Sequence, residues 1–444
     1  MSISVQDGVP LDDTTFSYSV EQSCPRLVVI LNGYASIGVS ATCTQNAHGF
    51  NDTAEVVIPL DRDYSVELAD AATATSAKAP NPNVTIEVWA GLADTPQYGS
   101  TSLSGLRRIF LGLVDDYAAA GVLATITLHC RGAAANLADL KLTKIALGQT
   151  SVSFGAEEAA AAGLKFEQNL TLSPITIQQV LGKEFVGGPS LQTSIYRKSA
   201  ADLLKESATF DDADVWVEDG TVHYERAALV KRGNPIAIHH GHDTVMGDEG
   251  LSLSHALRFS KNVRVDVRGF QPRVRISTRA TLRFDPTTGA VTKETVSTGM
   301  SRSTPIFGTD QTQSLNISKK SLSQGTSTSS GGSSSSTETE ASSSNVERYK
   351  FFVPNVDGPT CSRLAAAIAR QIASLEYSVS LTVPMTRKML GLRIVTPLDV
   401  TGIALSAFST RYYPRKITHT ISLESGWRVN IQAVSHAILQ GELD

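Results

Sequence analysis

The sequence has 444 residues, 41% apolar and 18% charged, with a formal net charge of −4 and a pI near 6.2. A chain this long can bury most of its apolar surface without disulfides or metals. Its mild acidity excludes a globally basic nucleic-acid coat, and no apolar run approaches the roughly 18 residues of a membrane-spanning helix.

Residues 1–15 are polar and acidic, without the basic and apolar stretches of a secretory leader. Cys24, Cys43, Cys130 and Cys361 are scattered and form no CxxC pair. They read as buried free thiols, not as a zinc ribbon or disulfide framework. Nothing in the sequence supports a Cys24–Cys43 bridge.

From residue 26 to 130 the pattern is one of strands and turns. Strands are expected at 27–31, 37–43, 54–59, 84–89, 108–115 and 122–130. In the last, Ala124, Ile126, Leu128 and Cys130 alternate with Leu123, Thr125, Thr127 and His129. Short strands at this spacing imply a barrel or a sandwich.

The middle of the chain changes character. Ser199 and Asp202 form a capping box ahead of a helix over 199–208, and Leu203 and Leu204 supply its apolar stripe. A hairpin follows, with strands at 213–218 and 221–226. Asp219-Gly220 suits the two positive φ angles of its turn. A small α+β domain is therefore expected over about 151–250.

Alternation then returns in Val263, Val265 and Val267, again from Val274 to Phe284, and in a return strand over 290–296. Residues 313–345 are low in complexity and dominated by serine, too polar to offset their ordering entropy. Asp357 and Pro359 open a helix with Leu364, Ile368, Ile372 and Leu375 on one stripe. Val379, Leu381 and Val383 alternate as a strand. A closing hairpin sets Ile417, His419, Ile421 and Leu423 beside Trp427, Val429, Ile431 and Ala433.

The catalytic inventory is sparse. GxSxG, GxGxxG, GxxxxGK[ST] and HExxH are absent, and Gly182-Lys183 lacks the glycines of a phosphate loop. Acid pairs at Asp115–Asp116, among Asp211, Asp212 and Asp214, and at Glu218–Asp219 read as solvated turn and strand-end residues. Asp211 and Glu218 are the acids a glycan hydrolase would use. On a strand, His240 and His242 would share a face and could ligate a metal. The preferred reading of 239–243 is a polar loop, so no metal, cofactor or catalytic residue is assigned.

Eight Lys or Arg fall between Arg258 and Arg283 against one acid, Asp266. Alternation places Arg264, Arg268, Arg275, Arg279 and Arg283 opposite the apolar face. They are the interface candidates, toward an acidic protein partner or a ring lumen. The strip nearly lacks aromatics, which counts against base stacking.

Three segments resemble a known family. They are Arg108 to Asp115 (RIFLGLVD), Ser199 to Leu204 followed by Asp214 to Val222 (DVWVEDGTV), and the closing strands at 416–423 and 427–436, with His419 in the family's histidine position. The chain resembles the baseplate hub proteins of contractile-tailed phages, the late-control-protein-D type, and is similar to the N-terminal half of VgrG spikes in type VI secretion. The Ser-rich insertion departs from that pattern, as does the TPLDVTG run at 396–402, which stands where the family has a Gly-rich stretch.

The resemblance implies a mainly β fold with a small α+β domain and two tube-type antiparallel β-barrels per chain. The parts would be a first barrel at 1–150, an α+β domain at 151–258, the second barrel at 259–310 and 349–444, and an insertion loop at 311–348. It further implies a non-enzymatic homotrimeric ring joining the sixfold tail tube to the threefold central spike, located in the virion at the tail tip and assembled in the bacterial host cytoplasm. Its partners would be the tail tube and spike proteins, with tape measure and baseplate wedge proteins as further candidates. No membrane span and no sequence-specific nucleic-acid binding are expected. The rival readings are a glycan-degrading or glycan-binding β-rich tail protein and a spike component of a contractile secretion system.

Overall fold

A computed structural model describes residues 24–47, 49–61, 64, 84–93, 100–120, 124–145, 148–170, 173–181, 194–211, 213–225, 234–245, 250–255, 262–270, 279–284, 291–296, 311–317, 346–354, 364, 377–405 and 408–435. The protein is mainly β, and most of its strand pairings are antiparallel. The parallel ones among the described residues join Lys165–Asn169 to Thr221–Glu225, Ile236–His239 to Leu398–Thr401, and Asn262–Phe270 to Val346–Pro354.

Seven strands open the chain: β1 (Cys24–Leu31), β2 (Tyr34–Ile37), β3 (Ser40–Asn46), β4 (Thr53–Pro59), β5 (Thr85–Ala93), β6 (Arg107–Ala120) and β7 (Thr125–Gly132). Their pairing order is β3-β4-β7-β6-β5-β1-β2. The strand expected over 37–43 is in fact split at Gly38 and Val39, so that β2 pairs with β1 while β3 pairs with β4. Gly112 in β6 lies opposite Gly132 in β7. A Cβ there would clash with the Arg131 carbonyl, which is why this strand needs a glycine.

A second core lies in the middle of the chain. It is built by α1 (Ala135–Asp139), β8 (Lys141–Ile145), α2 (Ser151–Ala161), β9 (Lys165–Asn169), α3 (Ile177–Leu181), β10 (Ser194–Ser199), α4 (Ala200–Asp211), β11 (Asp214–Glu218) and β12 (Thr221–Glu225). The Ser199 hydroxyl accepts the Asp202 N–H, as the capping pattern predicts. Asp219 (φ 52°) and Gly220 (φ 77°) both adopt the left-handed conformation at the hairpin turn. Leu137 and Leu142 belong to this core and β8 pairs with β10, so the middle unit reaches back before residue 151.

Strands β13 (Ile236–His239) and β14 (Leu251–His255) pair with strands of the C-terminal part, so that part begins before residue 259. Next come β15 (Asn262–Phe270), β16 (Arg279–Phe284), β17 (Val291–Val296), β18 (Gln311–Ile317) and β19 (Val346–Pro354). Strands β18 and β19 flank β15, and both enter the segment expected to be a loop at 311–348. Of the helical stripe after Asp357, only Leu364 lies among the described residues, helical and buried. The serine-rich stretch 321–345, Val274 and Cys361 lie outside them.

The chain ends with β20 (Tyr377–Pro384), a 3-10 turn (Arg387–Gly391), β21 (Leu398–Thr401), β22 (Arg411–Ser422) and β23 (Gly426–Ser435). Strand β22 pairs first with β21, at Arg411 and Tyr412. It then bulges between Pro414 and Lys416, and from Lys416 onward it pairs with β3. A bulge re-aims a strand, and Pro414 has no N–H to give a ladder. The first and last parts of the chain are thereby joined in one 13-stranded sheet over one shared core.

Candidate functional site

The candidate functional feature is the seam where β3 meets β22, together with the junction beside it. Residues directly opposite one another on paired strands share a face of the sheet. Reading across β20, β23, β22, β3, β4, β7 and β6, one row is Val383, Val429, His419, Cys43, Ala54, Cys130 and Val114. This row faces the core, and all but the half-buried Val114 are buried.

The neighbouring rows face outward. One is Thr382, Asn430, Thr418, Thr44, Thr53 and Arg131. In it the hydroxyls of Thr44 and Thr418 bond at 3.2 Å, and Asn430 Nδ2 donates to Thr382 Oγ1 at 3.0 Å. The adjacent row runs Arg428, Thr420, Thr42, Glu55, His129 and Asp116. A polar face built chiefly of short hydroxyl and amide side chains therefore crosses the seam without a break.

His419 is buried in the seam, where its Nδ1 accepts a bond from Trp427 Nε1 at 3.3 Å. Burial, reinforced by the nearby Arg107 guanidinium, pulls its pKa down to about 3, so the imidazole is neutral. Burial likewise pushes the thiol of Cys130 up to about 12 and that of Cys43 higher still. Cys24, Cys43 and Cys130 are free, so the Cys24–Cys43 bridge is absent.

Beside the seam, three bodies meet. Arg107 of β6 donates to the carbonyls of Leu390 (2.7 Å) and Leu392 (2.6 Å) in the last part of the chain. Its neighbour Arg108 reaches the hairpin turn at Asp219 (3.2 Å) and sits over the Trp89 ring. From the other side, Arg393 contacts Glu218 at 3.1 Å and Asp219 at 3.7 Å. The β3–β4 loop enters the middle unit, where Phe50 joins the second core and Gly49 N–H donates to Val215 O.

The residues singled out by sequence are placed as follows. Asp211 is buried and accepts bonds from the Ser151 and Tyr224 hydroxyls and the Ile175 N–H. It anchors α4 to its neighbours and is closed to a glycan. Glu218 is held by Arg393. Asp115 pairs with Arg131, and Asp116 lies 3.8 Å from His129.

The strand geometry that would put His240 and His242 on one face does not form, because β13 stops at His239 and a turn follows. His242 bonds Asp243, His240 bonds Thr244, and Lys388 closes on Asp243 at 2.7 Å. No group of three or more metal-ligating side chains occurs among the described residues. Of the three tryptophans, Trp216 and Trp427 are buried and Trp89 bonds Glu87, which leaves no exposed tryptophan platform for a sugar.

Arg264 and Arg268 lie four apart on β15, and Arg279 and Arg283 four apart on β16. These strands belong to different sheets, so Arg264 and Arg268 do not share a sheet with Arg279 and Arg283. Arg275, Asp212 and Gly182-Lys183 lie outside the described residues. Sequence reasoning missed Arg107, Asp52 and Arg393, whose roles come from contacts distant in the chain. No helix among the described residues is long and apolar enough to cross a membrane.

No family model matches the sequence, and no curated protein sequence does. Solved structures do. The 43 kDa tail protein of prophage MuSo2 from Shewanella oneidensis aligns over 93% of this chain and 99% of its own, with 12% identity and a TM-score of 0.54. A tail protein from Neisseria meningitidis aligns over 95% and 99%, with 11% identity and a TM-score of 0.55. The resemblance read from the sequence holds at the level of the fold: this chain is built like phage tail proteins.

Proposed function

We propose that this chain is the structural baseplate hub of a contractile phage tail. Three copies form a ring that joins the sixfold tail tube to the threefold central spike. The carrying observation is the β3–β22 seam, which places two β lobes of one chain side by side in a single sheet. Two such lobes per chain would supply six places in a threefold ring.

The first lobe reads as a tube-type barrel. Its strands run from β1 through β5, β6, β7 and β4 to β3, and β2 returns to β1 after a two-residue break. The C-terminal strands read as the second barrel. The unbroken polar face across the seam suits the wall of a water-filled lumen, since it offers neither apolar patches nor a charge excess to a passing polymer.

Arg264, Arg268, Arg275, Arg279 and Arg283 are read as contacts to acids of a neighbouring copy or of a partner, where guanidinium pairs with carboxylate in two-pronged bonds. Tail tube and spike proteins are the direct partners in this reading, with tape measure and wedge proteins beyond them. The protein acts as a scaffold within the virion tail tip, having been assembled in the host cytoplasm. Symmetry of the assembled particle tests this: a threefold ring of this chain is expected, and a twofold dimer in the particle overturns the proposal.

A further inference from the structure

Asp52 stands at the base of the β3–β4 loop, the loop that plugs Phe50 into the second core. Its Oδ1 accepts the Asn46 N–H at 2.8 Å, and its carbonyl accepts the Gly132 N–H at 2.7 Å. With Gln45, Arg107 and Arg108 it lines a narrow pocket whose far wall is the hairpin tip, Glu218 and Asp219. That pocket separates the first lobe from the middle unit.

The charges around it are unevenly committed. Arg107 is turned to the Leu390 and Leu392 carbonyls, and Arg108 is shared between Asp219 and Glu87. Arg393 is taken by Glu218 and Asp219. Farther along the seam, Arg415 acts on Asp214, and Lys416 stands in register with Asn46. Among the described residues, the Asp52 carboxyl therefore meets Glu218 across the pocket with no hydrogen-bonded or ion-paired cation of its own.

We propose that Asp52 is a proton-operated latch: protonated, it lets the β11–β12 hairpin rest against the first lobe, and ionised, it loosens that contact. Burial raises the carboxyl to about pKa 7, and the Glu218 charge adds to this against the opposing bonds from Asn46. The folded value lies above that of the open chain. Protection is therefore complete at low pH and declines as pH rises from the open-state value toward 7 and beyond. The inference concerns a single chain and holds whatever it assembles with.

Hydrogen exchange of the full-length protein at pH 6 and pH 8, corrected for intrinsic rates, tests the latch. Segments 46–52 and 214–220 are expected to open about tenfold more often at pH 8, the factor that linkage gives for a carboxyl moving from about 7 to its ordinary value. Asp52→Asn should abolish this difference while keeping the Asn46 bond. An uncorrelated pH response, with parent and variant alike, overturns the proposal, as does a parent with no response. If Asp52→Asn does not fold, Asp52→Ser gives the same reading, because its hydroxyl can still accept from Asn46 and cannot ionise.

Discussion

Thr44 and Thr418 are 374 positions apart, yet their hydroxyls bond at 3.2 Å across the seam between β3 and β22. The seven rungs from Lys416–Asn46 to Ser422–Ser40 make one sheet of two distant parts of the chain. Because β22 also pairs with β23 along this length, it is central and cannot spare a backbone donor. Thr418→Pro removes a ladder hydrogen bond from this central strand and is expected to lower the urea midpoint clearly. The loss should appear in both lobes at once, as reduced exchange protection in β5 and β6 as well as in β22 and β23. Loss confined to the last hairpin would mean the lobes are not energetically joined.

Arg107 satisfies two backbone carbonyls in a half-buried site. Arg107→Ala leaves both without a charged donor, at an expected cost of roughly 2–3 kcal/mol. Urea denaturation of the full-length chain measures it. Arg108→Ala, whose ion pairs are more open to water, should cost less.

His419 gives the seam a pH response of its own. Its folded pKa of about 3 lies below the ordinary histidine value, so its stabilising contribution is full above about 6.5 and falls away as pH drops toward 3. His419→Gln keeps an acceptor for Trp427 Nε1 and carries no charge. Between pH 7 and pH 4 the parent should lose roughly 2–3 kcal/mol more than the variant. Asp52 acts with the opposite sign, so the difference between parent and variant is the measured quantity.

Asp211 separates the scaffold reading from the hydrolase reading. Asp211→Asn disturbs the bonds from Ser151, Tyr224 and Ile175 and should lower stability by roughly 2–3 kcal/mol. A glycan-release assay of parent, Asp211→Asn and Glu218→Gln should show no activity in any of them. Release by the parent that either variant abolishes would restore the hydrolase.

The long Ser-rich stretch should be dispensable for folding. Ile317 pairs with Val263 and Val346 with Asn262, on opposite sides of β15. The ends to be joined are thus about two strand spacings, or ~10 Å, apart. A short Gly-Ser linker replacing residues 318–345 should leave soluble expression and the thermal midpoint nearly unchanged, because loop length enters closure entropy only logarithmically. Loss of soluble protein would place the segment in a core.

Local rules carried far in this sequence. Alternation exposed the strands, and Asp219-Gly220 marked a turn that needs two positive φ angles. Ser199 with Asp202 marked a helix start, and Val429, Ile431, Ile417 and Ile421 marked the core face of the closing hairpin. Each of these depends on neighbours a few residues away, whose geometry the backbone fixes. The resemblance to phage tail hubs added the expectation of a tail-protein fold.

What lay beyond reach was pairing between distant parts. Gly38 and the strand-favouring Val39 split an expected strand, and β3 pairs with both β4 and β22. The acids at 211 and 218 read alike in sequence, yet folding buries one among hydroxyls and pairs the other with Arg393. Alternation assigned five arginines to one face because it counts positions along a chain. Only tertiary structure decides which strands share a sheet, since that choice rests on burial and hydrogen bonding summed over contacts hundreds of residues apart.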